Sequence, residues 1–491
     1  MLSGAALAAA VVLAGCQSQN PPPAPASSAS PTLAPRDFTV VTTEKLTTAD
    51  PAAVNNDLSA TIAFSLFQRL MTVQPDKALL KPDAADCLFV SAQLYQCTLR
   101  ENLRFVNGHE LTSSDVRFSI QRALRIDAPG TSTSLLNALD HIETPDKLTL
   151  KFYLKWADTQ FGYALATPAA SIVDEAVYDP DQLQALGSGP IGSGPFLMRT
   201  MDDNHIVLDR SSSYSGPSGA GLPTVVIRRV ADSAAVEEAM TKQTADVAWR
   251  GLNHAAVVRL QQQIAASAEQ RTDSGWSQVP MPGRRVWRLV WNSASAHRLN
   301  VTLRNALSLS LQPDRTLDSV IPRDVEGHIK AFAVGGRPTV PKITGQRIKL
   351  TLSYSSLSPD ALDLASVVRA RIEAKAPISV QLVTDSGNAD LTLTDALAWM
   401  NTPAAWLQEY VDHPLPGSAA KLSLLSNRAR SATSDAVRDV ALAEIQKQAA
   451  ADATVLPISQ DDGVLFLGAG VTLADPGFGP GWQLAPWALR K

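Results

Sequence analysis

The sequence predicts an α/β protein built from more than one lobe, and three observations carry that expectation. The chain has 491 residues, more than one core requires, so two or three domains are expected. Apolar residues make up 45% of it, enough to fill such cores. Short apolar runs with the two-residue period of strands alternate with longer stretches whose apolar residues recur at helical spacing.

The first 15 residues are small or apolar and carry no charged side chain. A run of that length is too short to span a bilayer, which takes about 20 residues, and it fits the apolar part of a secretory signal. Such signals normally open with Lys or Arg; none stands here, so the natural start is expected upstream. Leu13-Ala14-Gly15-Cys16 resembles a bacterial lipobox, which implies lipidation of Cys16 and anchoring to the membrane by its acyl chains. Residues 16–35 are rich in Pro, Ser and Ala and are expected to form a disordered tether.

Beyond the tether, residues 38–43 (FTVVTT) alternate as a strand does, and 59–73 show helical spacing. CLFVSAQLYQC (87–97) reads as a hairpin that sets Cys87 and Cys97 opposite each other, and an even pair outside the membrane predicts a disulfide. Asn107-Gly108 signals a turn, and TSSD (112–115) before VRFSIQRAL marks a helix start. A strand at 147–154 and helical material to about Tyr178 follow. Further strands are expected at FLMRT (196–200), IVLDR (206–210), 223–230 and 246–249, with a helix between the last two. A new section starts near Gln270. Its strands are 286–292, 347–355, 377–384 and 390–395, and its helices 300–311, 360–375 and 434–453. No repeat with a period of about 20–50 residues is found.

Charged residues are 18% of the chain and the formal net charge is −4, which gives no basic field for nucleic acid. Gly187, Gly189 and Gly192 have the spacing G-x-G-x-x-G, but a dinucleotide cradle must follow a strand and open a helix. Here the glycines follow DQLQAL (181–186), read as a helix end, and lead into a strand; they serve as a flexible handover. There is no H-E-x-x-H, C-x-x-C or G-x-S-x-G, so no enzyme, metal site or cofactor is expected.

The same glycine stretch carries a resemblance. Gly192-Ser193-Gly194-Pro195-Phe196 resembles the GTGPY turn of the bacterial extracellular solute-binding proteins of family 5, the substrate-binding lipoproteins of peptide- and nickel-type ABC importers. TLRENLRFVNGHELTSSDVRFSIQRAL (98–124) is similar to that family's most specific signature. MTKQTADVAW (240–249), LRNALSLSLQPDRTL (303–317) and EIQKQAAADATVLPIS (444–459) follow in the family's order. The Ala richness looks actinobacterial.

The resemblance implies a two-lobed periplasmic-binding-protein-like fold (class II) of the peptide-binding type, with an extra subdomain. Lobe 1 is expected at 36–62, 170–265 and 456–491, the extra subdomain at 63–169 and lobe 2 at 266–455. It implies capture of an oligopeptide or peptide-like solute between the lobes by a monomer at the outer face of the membrane, and delivery to an ABC permease. The ligand edge is carried over to Leu393–Met400, with Asp395, Ala398, Trp399, Met400, Thr402 and Trp406 as contacts. Tyr354, Trp291, Asn292 and Asn55 stand at strand ends or connections expected to face the cleft. The family's acidic partner for a peptide ammonium is replaced by Thr402, leaving Asp395, Glu409 or Asp412 to substitute. That loss, with Gln312-Pro313 in place of the usual Ile-Asp, motivates an alternative: an envelope lipoprotein acting as scaffold or regulator.

Overall fold

The computed structural model describes residues 36–217, 219–396, 398–474 and 477–491; the leader, Cys16 and the tether lie outside them. Its strands are β1 (Phe38–Thr42), β2 (Met71–Gln74), β3 (Leu79–Pro82), β4 (Ala85–Ser91), β5 (Leu94–Leu99), β6 (Leu139–Glu143), β7 (Thr149–Leu154), β8 (Phe196–Met201), β9 (His205–Arg210), β10 (Thr224–Arg229), β11 (Val247–Trp249), β12 (Ser277–Trp291), β13 (Ile348–Tyr354), β14 (Ile378–Thr384), β15 (Leu391–Ala396), β16 (Val455–Leu467), β17 (Thr472–Leu473) and β18 (Leu489–Arg490). Its helices are α1 (Asp57–Leu66), α2 (Ser113–Ile126), α3 (Phe161–Ala164), α4 (Ser233–Thr241), α5 (His254–Ala266), α6 (Val301–Leu311), α7 (Ala361–Lys375), α8 (Pro403–Asp412), α9 (Ala419–Ser431) and α10 (Asp435–Asp452).

Ten strands form one sheet in the order β14-β13-β15-β12-β16-β11-β1-β10-β9-β8. In one half, β1 lies parallel to both β10 and β11 and is buried on both faces: Val40 enters one apolar cluster with α1, and Val41 another with α4 and α5. The other half carries β13, β14 and β15. Among the described residues, only the long antiparallel pair β12 and β16 belongs to both. Ser277–Met281 pair with Gly463–Leu467 beside β11, and Val286–Val290 pair with Val455–Gln460 beside β15. The register shifts between Met281 and Arg285, where Pro282-Gly283 lacks one ladder N–H and tolerates a bulge. Between α1 and β8 the chain forms a separate four-stranded sheet, β4-β5-β7-β6, and the hairpin β2-β3.

Local chemistry explains the elements. Thr112 and Asp115 form a capping box that starts α2, and Asp115 accepts from the Thr112 N–H at 2.8 Å. Cys87 faces Cys97 across β4 and β5, and the two are joined as a disulfide with Cα atoms 4.0 Å apart. On α2, Arg122 is held by both oxygens of Asp50 at 2.8 and 2.6 Å. This ion pair is fully buried, and its remaining donors reach the Asp179 and Gln182 carbonyls.

Three expectations need correction. The helix read at 59–73 ends at Leu66, and Met71–Gln74 is a strand. The chain around Gly192 and Gly194 passes against the Leu66 carbonyl, which accepts the Gly194 N–H at 2.8 Å. A Cβ on Gly194 would lie 2.5 Å from backbone atoms of Ser65 and Leu66, so only glycine permits the approach. The segment before Tyr178 is mostly irregular: beyond the short α3, Pro168 opens only a three-residue 3₁₀ turn. DQLQAL is not helical, because Asp179 accepts the Asp181 and Gln182 N–H groups and Asp50 accepts that of Gln184, fixing turns instead.

Candidate functional site

The carboxyl ends of the parallel strands β1 and β11 open toward the residues after β13, which is where open α/β sheets place their ligands. A cavity of about 90 Å³ lies there. Its walls come from both halves of the sheet and from the shared strands. Glu44 follows β1, Arg250 follows β11, Ser358 follows β13, Asp395 is the penultimate residue of β15, and Arg285 and Asp461 sit on β12 and β16.

The cavity is acidic. Glu44, Asp395, Asp461 and Asp462 line it against two guanidinium groups, Arg250 and Arg285. Arg250 pairs with Glu44 at 2.9 Å, Asp57 at 3.0 Å and Asp395 at 3.4 Å. Arg285 pairs with Asp360 at 2.9 Å and Asp395 at 3.2 Å. Burial works to lower the Arg250 pKa, but Glu44, Asp57 and Asp395 outweigh it and hold the value raised. Burial pushes the Asp57 carboxyl up to about 6; Arg250 opposes this, and Glu44 and Asp395 add to it.

Asp395 is the unusual member. Its side chain is 8% exposed, and both arginines bind the same oxygen, Oδ2. Its Oδ1 is buried with no hydrogen-bond partner. A buried carboxylate oxygen without a donor is costly, so the site is chemically incomplete on its own and suited to a ligand that donates an N–H.

The halves also touch directly around this cavity. Thr43 Oγ1 donates to the Leu357 carbonyl at 3.1 Å, and the His254 N–H at the start of α5 donates to Asp360 at 3.0 Å. At the far end of β15, the Asn401 N–H donates to the Pro480 carbonyl at 3.2 Å, and a Cβ on Gly481 would strike the Ala398 carbonyl oxygen.

Of the residues expected to contact ligand, Asp395 lines this cavity and Thr402 lines a second one. The expected edge is shorter than read: β13 covers Leu391–Leu393, and β15 ends at Ala396. Trp291 and Trp406 are packed in the core at 2% exposure, the latter donating its indole N–H to Asn401 at 3.2 Å. Ala398 and Met400 are buried, and Trp399 is half-buried against the cluster that holds α1. Asn292 caps a turn through Ala294 and Gly387, and Asn55 accepts from Thr47. Tyr354 is half-buried at the end of β13. Sequence reading missed Glu44, Asp57, Arg250, Arg285 and Asp360. One signal was available: charged residues stand just past the ends of β1 and β11, and Arg250-Gly251 turn sharply there with φ of 46° and 114°.

The family described as bacterial extracellular solute-binding proteins, family 5 (middle), matches residues 80–343, more than half of the chain. The glutathione-binding protein GsiB of Pectobacterium atrosepticum is 29% identical over 197 residues, 40% of this chain and 38% of that protein. The match thus spans well under half the length of that curated relative. Among solved structures, the dipeptide binding protein of Pseudoalteromonas sp. SM9913 in complex with Met-Leu superposes with a TM-score of 0.77 at 15% identity, covering 93% of this chain and 100% of that one. The Escherichia coli murein tripeptide binding protein MppA gives 0.78 at 15% identity, covering 92% and 98%.

Proposed function

The chain belongs to the bacterial extracellular solute-binding proteins of family 5, with the two-lobed fold of their peptide-binding type, and on that premise we propose that it captures a small peptide-like solute carrying a basic nitrogen and hands it to an ABC importer permease. The unpartnered Oδ1 of Asp395, in a cavity walled by both halves, is the observation that carries this reading. An ammonium or guanidinium group supplies the missing donor and offsets the excess of carboxylates. The cavity is small beside the roughly 300–1,000 Å³ of drug-sized ligand sites. Entry therefore requires the halves to part about the β12–β16 pair, and closure buries the guest. Delivery at the outer face of the membrane, as a monomer anchored through Cys16, completes the proposal.

Native mass spectrometry of the protein taken from its own cells tests it by weighing the trapped guest. A bound solute with a basic nitrogen, lost in Asp395→Asn, is the expected result. A protein that carries none, and whose melting temperature no free-amine peptide raises, refutes capture. Cys16→Ser is expected to release the protein into the medium; retention on membranes refutes the anchor.

The alternative use as an envelope scaffold has its own support in the direct ties between Thr43 and Leu357, between His254 and Asp360, and between Asn401 and Pro480. A protein that stays shut in solution with any guest offered, by small-angle scattering, favours that reading.

A further inference from the structure

A further cavity, about 220 Å³, lies in the half that carries β1, where the β8–β9 turn meets the chain leaving β1. It shares only Glu44 with the Asp395 cavity, and that carboxylate is already held by Arg250 at 2.9 Å.

The backbone brings two cations to it. β1 and β10 run parallel with Thr42 opposite Arg229, and Lys45 follows three residues after Thr42. The Arg229 N–H donates to the Asn204 carbonyl at 2.7 Å, which ties the end of β10 to the β8–β9 turn. The Asn56 side chain donates to the Lys45 carbonyl at 3.5 Å and holds the chain leaving β1. Lys45 and Arg229 both line the cavity. Among the described residues, neither the Lys45 ammonium nor the Arg229 guanidinium has an acceptor. Of the Arg229 nitrogens only Nε is closed off from solvent; the two terminal nitrogens are open.

The acidic neighbours leave these donors unanswered. Asp202 Oδ1 accepts the Asn204 and His205 N–H groups at 2.8 Å each and lies 3.3 Å from His205 Nδ1. Asp203 is exposed in the same turn. The apolar wall is open in part. Leu186 is 46% exposed and Met201 is half-buried, and a Cβ on Gly187 would lie 3.8 Å from the Met201 methyl. The glycine-rich stretch thus forms one rim of the cavity.

We propose that this cavity is a separate binding site for a small amphiphilic monoanion, in which Arg229 and Lys45 receive a carboxylate and the Leu186–Met201 surface receives its hydrocarbon part. Two unanswered cations beside one cavity favour an anionic guest, because a charge-assisted hydrogen bond is about twice as strong as a neutral one. The planar fork of Arg229 matches a carboxylate. Asp202 and Asp203 repel a second negative charge and so disfavour a dianion.

The test titrates the full chain with sodium butyrate at constant ionic strength, its methionine methyl groups labelled so that Met201 is read by NMR. A saturable shift of the Met201 methyl is expected. Arg229→Gln is expected to weaken butyrate binding at least about tenfold. Asp203→Asn, in an exposed turn where folding is not at stake, is expected to tighten it about two- to fivefold. An unmoved Met201 methyl in the native protein, unchanged affinity in Arg229→Gln, or weaker binding in Asp203→Asn overturns the proposal. n-Butanol and inorganic phosphate are run in parallel. An equal response to n-butanol overturns the role of the two cations, and tighter binding of phosphate overturns the monoanion assignment. Asp395 takes no part in this readout, so loss of the site proposed above leaves it interpretable.

Discussion

Asp57→Asn is expected to stabilise the protein at neutral pH, by an amount that depends on pH. Asp57 is the first residue of α1, its Oδ2 lies 3.0 Å from Arg250, and Glu44 and Asp395 compete for the same guanidinium. Burial raises its carboxyl from 3.8 to about 6. The folded protein therefore holds this proton more tightly than the unfolded chain does. The resulting stability is complete below 3.8 and is lost as pH rises through about 6. A shift of about two units at 1.36 kcal/mol each corresponds to about 3 kcal/mol. The negative charge recovers roughly 0.3–1 kcal/mol from the amino end of α1, which leaves about 2 kcal/mol of net destabilisation in the native protein at neutral pH. Asparagine keeps an acceptor for Arg250 and removes the charge. Urea unfolding of both proteins near pH 4 and near pH 7.5 measures the gap: about zero at the acid end and about 2 kcal/mol in favour of Asp57→Asn at the other. A variant less stable than the native protein at neutral pH, or a gap that does not close in acid, refutes the reasoning. A bound cation lowers the same pKa, so cation affinity is expected to rise with pH through about 6, by up to tenfold per unit.

Arg122→Ala leaves Asp50 as an uncompensated buried charge and is expected to cost about 3–5 kcal/mol, read as a fall in the urea midpoint at unchanged slope. Gly194→Ala forces a methyl group against the Ser65 and Leu66 backbone and is expected to cost about 3 kcal/mol, while Ala at Gly189, where a Cβ meets nothing within 4 Å but φ is 73°, costs about 1 kcal/mol. Replacing Cys87 and Cys97 together by Ala is expected to cost about 3 kcal/mol on the chain-entropy account of so short a loop, measured against the native disulfide form.

Much of the fold was legible because its signals are local. The β-branched run in FTVVTT, the Thr112–Asp115 box and the Cys87–Cys97 hairpin each carry their own cause within a few residues, although β1 is buried on both faces rather than alternating. The misread stretches are those where a distant segment decides. Residues 67–73 have apolar groups at helical spacing, but the backbone at Gly194 already occupies the flank of Leu66. The helices α5, α8 and α9 went unassigned, although Asn253 caps α5 at the Ala256 N–H and Pro403 opens α8. The site was the least legible part. Arg250 is separated from Glu44 by 206 residues and from Asp395 by 145, so only the parallel pairing of β1 with β11 and the crossing of β12 bring them together. Asp395 was named as a substitute for the missing acid at Thr402, but its companions and its open oxygen belong to tertiary structure alone.

If the proposed capture at Asp395 holds, the placement of Arg285 would link it to motion of the two halves. This residue sits on β12 where the ladder slips register, in the stretch through which one half of the sheet continues into the other. It binds Asp360 at the start of α7 and the same Asp395 oxygen that Arg250 reaches from the opposite half. A guest that donates to Asp395 Oδ1 therefore completes a carboxylate whose other oxygen is already held from both sides of the hinge. Parting the halves about β12 and β16 moves Arg250 away from Asp395 and leaves the guest with fewer partners. On the proposed function the guest is expected to bind the shut form better than the open one, since a ligand shifts a conformational equilibrium only through such a difference in affinity. A neutral guest of the same size gains nothing from that arrangement and is expected to bind without shutting the cleft.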